Sequence, residues 1–149
     1  MEAVILIGIQ ASGKSSFCRE RFYNTHIRIN LDMLKTRHRE KILVQACLDA
    51  QQRFVVDNTN PTPADRARYI LPAKDKGFRV VGYYFQSVLE DCKRRNAQRQ
   101  GKQVIPVPGI LATHKKLVLP SCDEGFDALF SVKLGTNYSF IVKEWSHES

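Results

Sequence analysis

Short apolar runs alternate along this chain with longer stretches whose apolar positions recur at helical spacing. The runs are typical of strands buried on both faces, and the stretches between them predict helices. The predicted strands span Ala3–Ile7, Ile27–Asn30, Arg53–Asp57 and Phe78–Phe85, followed by two in the tail around Gly135-Thr136-Asn137. The predicted helices span Lys14–Tyr23, Asp32–Gln51, Thr62–Gly77, Val88–Arg99 and residues 109 to 119. This order predicts an α/β fold: a parallel sheet covered by helices on both faces, with a short C-terminal β-hairpin.

Composition limits the alternatives to a single domain of residues 1–149 with one apolar core, since 43% of the residues are apolar. The formal net charge of +8 favours an acidic partner, such as nucleic acid or a phosphate-rich substrate. No apolar run is long enough to span a membrane, and the N-terminus lacks the basic region of a signal peptide. Four widely spaced cysteines without a CxxC pair indicate free buried thiols in a reducing, cytoplasmic compartment.

The segment GIQASGKSS, Gly8–Ser16, fits the phosphate-binding pattern G-x-x-x-x-G-K-[ST] between a predicted strand and a predicted helix. Its glycines let successive backbone N–H groups point at phosphate oxygens, and the following helix adds a favourable dipole. Lys14 is expected to contact the β- and γ-phosphates of ATP or another NTP, and Ser15 to ligate Mg²⁺. The predicted nucleotide-binding residues of this loop are Gly8, Gln10, Ala11, Ser12, Gly13, Lys14, Ser15 and Ser16.

The rest of the chain favours transfer of the end phosphate to a hydroxyl over its release to water. No guanine-reading N-K-x-D is present, and Asp57 is followed by Asn58 rather than by a water-activating glutamate. Asp32 is the candidate base for an acceptor hydroxyl. On one continuous helix Lys35 and Arg39 would share its face while Arg37 would point away. The alternative is that Asp32 only caps a helix, with Lys35 as its ion-pair partner.

A basic segment, Cys92–Lys102, follows the fourth predicted strand, holds five basic residues and contains no acid. It predicts a basic lid over residues 93–104 that excludes water and brings Arg95 and Arg99 to the phosphates. The alternative is a solvated basic helix end. Farther back, Arg66 and Arg68 are expected on an exposed helix face, or else along an acceptor groove.

With these motifs placed, the chain resembles the kinase domain of the polynucleotide 5′-kinase family, in phage and animal forms. The resemblance rests on GIQASGKSS, INLD, DNTNPTPADRARY, KRRNAQRQGK and EGFDALF, and covers roughly Val4 to Leu134. It implies a P-loop kinase fold in which Asp32 is the general base for a 5′-hydroxyl. It also implies that Asp57 organises the site near the acceptor.

The resemblance further implies that Arg99 is the lid arginine and Arg95 a basic lid residue before it. The acceptor-contacting arginine of phage forms falls on Lys35, and that of animal forms on Arg39, which we favour because a guanidinium retains bidentate phosphate geometry. After Asp57, the residues Asn58, Thr59 and Asn60 are expected to orient Asp57 or contact the acceptor, and the alternative is a hydrogen-bonded turn.

Two departures from the family limit the interpretation. Leu31 stands where the family commonly has an arginine, and no D-x-D-G-T phosphatase motif is present. The second departure implies a stand-alone kinase, or one component of a repair system whose other parts lie on separate chains. The first hypothesis is therefore an Mg²⁺-dependent kinase acting on 5′-hydroxyl ends of RNA or DNA. The alternatives are a kinase for a small hydroxyl compound, such as a sugar or nucleoside, and a nucleotide-binding regulatory module without transfer activity.

Overall fold

One mixed sheet organises the computed structural model, which describes residues 1–86, 88–101, 104–135, 137 and 139–146. Its strands are β1 (Glu2–Ile7), β2 (Ile27–Ile29), β3 (Phe54–Val56), β4 (Arg79–Gln86), β5 (Ala128–Leu134) and β6 (Phe140–Glu144). They lie in the order β2-β3-β1-β4-β5-β6. The first five are parallel, and β6 pairs antiparallel with β5 as the predicted hairpin. Thr136, in the predicted hairpin turn, lies outside the described residues.

Helices cover both faces of this sheet, as predicted. They are α1 (Lys14–Phe22), α2 (Leu31–Leu34), α3 (Arg37–Asp49), α4 (Pro63–Asp75), α5 (Leu89–Ala97) and α6 (Val107–Lys116). Alternate side chains of β1 serve opposite cores: Ile5 packs on the side of α3 and α4, and Leu6 packs with Phe17 of α1 on the other side. Because β1 is buried on both faces, its sequence is a continuous apolar run.

The strand order sets where the polar loops meet. The strands β2, β3 and β1 are neighbours and parallel, so the loops at their carboxyl ends gather at one edge of the sheet. Those loops are the phosphate-binding loop after β1, the turn into α2 after β2, and the Asp57 segment after β3. The sheet therefore brings together the three sequence motifs that carry candidate chemistry.

The prediction of one continuous helix from Asp32 to Gln51 is wrong. The helix stops at Leu34, Lys35 takes a φ of +76°, and Thr36 begins α3 by accepting a hydrogen bond from the Arg39 amide at 3.2 Å. A new helix begins at Thr36 because its hydroxyl accepts a hydrogen bond from an amide that has no backbone partner at a helix start. The shared face argued for Asp32, Lys35 and Arg39 therefore does not exist.

Arg66 contradicts the expectation of an exposed position, since it is completely buried in α4. Its guanidinium donates to the Asn60 carbonyl at 3.0 Å and to the Glu124 carboxylate at 3.0 Å, and it also contacts the carbonyl of Val118. These bonds fasten the loop after β3 to the segment after α6. Arg68, two residues along, is exposed as expected.

The cysteines and the helices bear on the remaining expectations from composition. Cys18, Cys47 and Cys92 are free and buried as predicted, but Cys122 is exposed because it lies in a short surface turn. In the part of the chain that the structure describes, no helix combines the length and apolarity that a membrane crossing requires.

Replacing Arg66 by Met should lower the free energy of unfolding by about 3 kcal/mol, because Glu124 and the carbonyls of Asn60, Pro61 and Val118 lose a buried cationic partner. Urea unfolding measures this change. Arg68→Met on the same helix is the matched control and should stay within about 0.5 kcal/mol of the wild type. Equal effects of the two variants would contradict the structural role of Arg66.

Candidate active site

A polar cavity of about 430 Å³ opens at the edge where the three loops meet. Its walls come from the phosphate-binding loop, α2, the loop after β3, α6 and the start of α3. The polar side chains lining it include Gln10, Lys14, Ser15, Asn30, Asp32, Arg37, Asp57, Asn58, Thr59, Asn60, Arg99 and Lys116. Most of the predicted site residues therefore share one solvent-accessible space.

The phosphate-binding loop is folded around the Lys14 side chain. The Lys14 ammonium donates to the carbonyls of Gly8 at 2.8 Å and Ile9 at 2.7 Å, and lies 3.3 Å from the Ser12 hydroxyl. Gly13 has a φ of +102°, which only glycine adopts easily, and the Phe140 ring lies 3.3 Å from the position of a Cβ there. Among the described residues, no side chain caps the start of α1, so the first amides of this helix are available to an anion.

Burial lowers the pKa of Lys14 from 10.5 to about 8, and the nearby Asp57 carboxylate opposes part of this shift. A buried cation costs solvation free energy unless anions replace the lost water. The phosphates of a nucleotide would supply those anions and favour the charged form of Lys14. The loop is therefore a cationic site that gains from a polyanionic ligand.

Within the loop, the structure separates the predicted nucleotide-binding residues by position. Gln10, Ala11, Lys14 and Ser15 line the cavity, whereas Ser16 is exposed on α1. The Gln10 side-chain amide donates to the Thr113 hydroxyl of α6 at 3.0 Å, which joins the loop to that helix.

The Asp57 carboxylate is 2% exposed and connects the phosphate-binding loop to β2. It accepts from the Ser15 hydroxyl at 3.0 Å and from Nε of Arg28 at 2.9 Å, both on Oδ2. The sequence argument did not single out Arg28. Arg28 stands between Ile27 and Ile29 in a strand, so its side chain lies on the face of the sheet opposite to theirs. This alternation is the sequence signal that could have identified Arg28.

Ser15 and Asp57 together fit the chemistry of a Mg²⁺ site. A hydroxyl and a carboxylate are hard oxygen ligands, and Mg²⁺ characteristically combines one or two of them with water and substrate phosphates. Among the described residues, no group of three or more His, Cys, Asp or Glu side chains could hold a metal by itself. A metal at this position would therefore depend on the nucleotide for further ligands.

Asp32 lies exposed on the cavity wall, in the short helix α2. Asn30 fixes the start of this helix by accepting from the Met33 amide at 2.9 Å and donating to the Asp57 carbonyl at 2.7 Å. The Leu31 amide donates to Asn58 at 2.9 Å. The backbone that carries Asp32 is thus bonded directly to the loop that carries Asp57.

Arg37 lines the cavity, contrary to the expectation that it points away. Its Nη1 donates to the Glu40 carboxylate at 2.8 Å and to the Tyr69 hydroxyl at 3.0 Å. Glu40 is 2% exposed and accepts further bonds from the Tyr69 hydroxyl at 2.8 Å and from Asn58 at 3.0 Å. We call Arg37, Glu40, Asn58 and Tyr69 the Glu40 network.

The other two candidate acceptor cations lie elsewhere. Lys35 and Arg39 are exposed and absent from the cavity wall, and the Arg39 guanidinium donates to the Leu34 carbonyl at 3.3 Å. The helix is interrupted at Lys35 and Thr36, which changes the helical phase of α3 relative to α2. Arg37 therefore lies at the cavity, where Arg39 was predicted to lie.

The basic segment contributes Arg95 and Arg99. Nε of Arg95 donates to the Ala11 carbonyl at 2.7 Å, and Arg99 lines the cavity. The Asn96 side chain exchanges two hydrogen bonds with the Ile105 backbone, at 2.6 and 2.8 Å, which closes the intervening loop. Within the predicted lid, Lys102 and Gln103 lie outside the described residues.

Asn60 reaches the cavity wall but is already engaged, since its amide donates to the Leu6 carbonyl at 2.8 Å. It is 3% exposed, and the Thr59 carbonyl before it accepts from the Gly8 amide at 3.0 Å. The structure therefore gives Asn60 a turn-forming role that joins β1 to the loop after β3. Its predicted acceptor contact stays a prediction.

Comparison with known proteins gives the family. A model described as an AAA domain matches residues 4–117, so the chain belongs to that family. A bifunctional polynucleotide phosphatase/kinase of Schizosaccharomyces pombe is 27% identical over 84% of this chain, and a putative bifunctional polynucleotide phosphatase/kinase of Acanthamoeba polyphaga mimivirus is 29% identical over 88%. The aligned regions make up 32% and 33% of those proteins, so the chain spans about a third of their length.

The fold is that of a P-loop kinase. A gluconokinase from Sinorhizobium meliloti superimposes with a TM-score of 0.61 at 16% identity, over 92% of this chain and 85% of that one. The predicted family resemblance and fold class are thereby confirmed, and relatives named as kinases agree with the predicted phosphotransferase class.

Lys14→Met should abolish the rise in melting temperature that ATP gives the wild-type protein, because the buried ammonium is the cation at the centre of the loop. Differential scanning fluorimetry across an ATP series measures this. Lys115→Met, an exposed position on α6 outside the cavity, is the charge-matched control and should keep the shift. An ATP-dependent shift of wild-type size in Lys14→Met would refute the role of this lysine.

Proposed function

We propose that this protein is a kinase that transfers the γ-phosphate of ATP or another NTP to the 5′-hydroxyl end of an RNA or DNA strand. The observation that carries the proposal is the joint presence of Asp32 and Arg37 in one cavity with Lys14 and Ser15. A carboxylate beside a phosphate-binding loop supplies a base, and an arginine nearby supplies an anion contact for the acceptor. The polynucleotide kinases among its relatives support this choice of acceptor.

The donor side holds the triphosphate. Lys14 and the first amides of α1 bind the β- and γ-phosphates, and Arg99 approaches them from the basic segment. Ser15 and Asp57 would hold Mg²⁺, which would supply positive charge beside the phosphate oxygens. Arg28 keeps the Asp57 carboxylate oriented toward Ser15.

The acceptor side orients the hydroxyl. Asp32 accepts the proton of the 5′-hydroxyl while the hydroxyl oxygen forms a bond to the γ-phosphorus. The bond from that phosphorus to the β,γ-bridging oxygen breaks at the same time, and the nucleoside diphosphate leaves. Arg37 binds the phosphate next to that hydroxyl. We assign this contact to Arg37 rather than Arg39, because Arg37 reaches the cavity and is held there by Glu40.

A second candidate is a kinase for a small hydroxyl compound. Leu31 stands beside Asp32 at a position where the polynucleotide kinases commonly have an arginine, which removes one anion contact from the acceptor side. The fold is shared with a gluconokinase. Incubation with γ-labelled ATP and a panel of 5′-hydroxyl oligonucleotides, nucleosides and sugars separates the candidates, and label only on small molecules would refute the first.

Asp32→Asn should lower the rate of phosphate transfer at least about 100-fold, because the amide cannot accept the hydroxyl proton. The ATP-induced rise in melting temperature should remain, since Asp32 lies on the acceptor side. Single-turnover transfer of labelled phosphate measures the first quantity and scanning fluorimetry the second. Transfer at the wild-type rate would eliminate Asp32 as the base.

Arg37→Gln should raise KM for the oligonucleotide acceptor about 10-fold to 100-fold, the loss expected for one charge-assisted hydrogen bond, with KM for ATP unchanged. Arg39→Gln removes the same charge two residues away and decides between the two arginines. A larger rise in acceptor KM for Arg39→Gln than for Arg37→Gln would return the assignment to Arg39.

A further inference from the structure

The guanidinium of Arg28 contacts both of the side chains whose chemistry fits a Mg²⁺ site. Its Nε donates to Oδ2 of Asp57 at 2.9 Å, and its Nη2 donates to the Ser15 hydroxyl at 3.4 Å. The Ser15 hydroxyl in turn donates to the same Oδ2 at 3.0 Å. A metal ion that takes these two oxygens as ligands would therefore share them with a cation of the protein itself.

We propose that Arg28 competes with Mg²⁺ for Asp57 and Ser15, and that its guanidinium leaves both oxygens when a nucleotide and its metal bind. The proposal rests on the proposed function in one respect, namely that Ser15 and Asp57 hold the metal. It adds a coupling between the two ligands, because a metal replaces Arg28 when the phosphates of the nucleotide supply further oxygen ligands.

The charge at this position is the first argument. Two cations that share one carboxylate oxygen repel each other, and burial strengthens the repulsion because little water lies between them. Asp57 is 2% exposed, and its carboxylate carries one negative charge. Arg28 and Mg²⁺ together would carry three positive charges. The Asp57 carboxylate therefore favours one of the two cations at a time.

Compensation of the buried carboxylate is the second argument. A carboxylate buried to this degree is costly without a cation or hydrogen-bond donors, and Arg28 forms an ion pair with Asp57. The Lys14 ammonium donates to the carbonyls of Gly8 and Ile9 instead. Exchange of Arg28 for a metal ion keeps the carboxylate paired throughout, whereas departure of Arg28 alone would remove this pair. We therefore expect Arg28 to leave in exchange for another cation.

Space for the displaced side chain is the third argument. A cavity of about 350 Å³ lies between α1 and β2, and both Ser15 and Arg28 line it. The Arg28 side chain is 39% exposed, so its guanidinium already borders solvent and can turn from Asp57 into this cavity. The exposed ring of Tyr23 lines the same cavity and offers a surface on which a guanidinium stacks.

The test measures the affinity of Mn²⁺, which suits the same hard oxygen ligands as Mg²⁺, for the protein saturated with ADP. Electron paramagnetic resonance of the free ion gives the Kd. Arg28→Gln should lower this Kd about tenfold, because the variant has no charge-assisted hydrogen bond to break before the ion binds. A Kd that Arg28→Gln raises or leaves unchanged would overturn the proposal and leave Arg28 the single role of orienting Asp57.

Arg19→Gln is the matched control, because Arg19 is an exposed arginine of α1 that lines the same cavity. This variant measures how much the loss of one nearby positive charge affects the ion by itself. Its Kd for Mn²⁺ should stay within about twofold of the wild type, since salt screens an exposed charge. Equal effects of the two variants would refute a direct competition between Arg28 and the metal.

A second measurement follows Arg28 in the wild-type protein by nuclear magnetic resonance. The Nε–H signal of Arg28, assigned by its loss in Arg28→Lys, should exchange slowly with solvent because it is bonded to Asp57. Addition of ADP with Mg²⁺ should abolish this protection, whereas ADP with EDTA should leave it. Protection that persists with ADP and Mg²⁺ would contradict the displacement of Arg28.

Neither measurement requires transfer of phosphate, which keeps this proposal separate from the proposed function. If Arg28→Gln binds Mn²⁺ more tightly but labelled ATP transfers phosphate to no acceptor, the competition stands and the kinase assignment falls. If phosphate is transferred but Arg28→Gln leaves the Kd unchanged, the kinase assignment stands and the competition is refuted. Failure of the wild type with ADP to bind Mn²⁺ would refute the metal site and the competition together.

Discussion

The buried carboxylate of Asp57 is the point on which the arrangement of this protein depends. Its side chain accepts from Ser15 of the phosphate-binding loop and from Arg28 of β2, and its backbone carbonyl accepts from Asn30 at the start of α2. A carboxylate that is 2% exposed is costly unless such partners surround it. Two segments that are distant from Asp57 in sequence, the phosphate-binding loop and the turn from β2 into α2, are consequently held within hydrogen-bonding distance of this one residue.

Two buried cationic side chains, Arg66 and Lys14, differ in how their charge is compensated. Arg66 and Glu124 form a complete structural pair, and further carbonyls satisfy the guanidinium. Lys14 is different, because its burial lowers its pKa to about 8 with carbonyls as its main partners. An anionic ligand would offset the solvation free energy that this cation lost on burial. Such an arrangement is characteristic of a binding site rather than of a structural core.

The sequence was sufficient for the order of the strands along the chain and for the phosphate-binding loop. The apolar runs located the parallel strands, and the loop Gly8–Ser16 was identified because its pattern requires a strand before it and a helix after it. In each case the signal is local, so a single stretch of residues contains the physical cause.

The positions of three arginines could not be predicted in the same way, because these side chains depend on partners distant in sequence. Arg28 is defined by Asp57, and Arg66 by Glu124. Arg37 is defined by Glu40 together with Tyr69 of α4. Helical spacing predicted that Arg37 points away from Asp32, because it assumed one uninterrupted helix from residue 32 to residue 51.

The interruption between α2 and α3 affects how Asp32 and Arg37 are oriented relative to each other. A continuous helix would couple the directions of Asp32 and Arg37 through a single helical phase, whereas the positive φ of Lys35 lets α2 and α3 present their side chains independently. Asn58 restores the coupling by a different route, since it bonds both the Leu31 amide and the Glu40 carboxylate. The relation between Asp32 and Arg37 is thus set by the side-chain amide of Asn58. Asn58 directly follows Asp57, so the loop that orients these two side chains is also the loop that is bonded to Ser15 of the phosphate-binding loop.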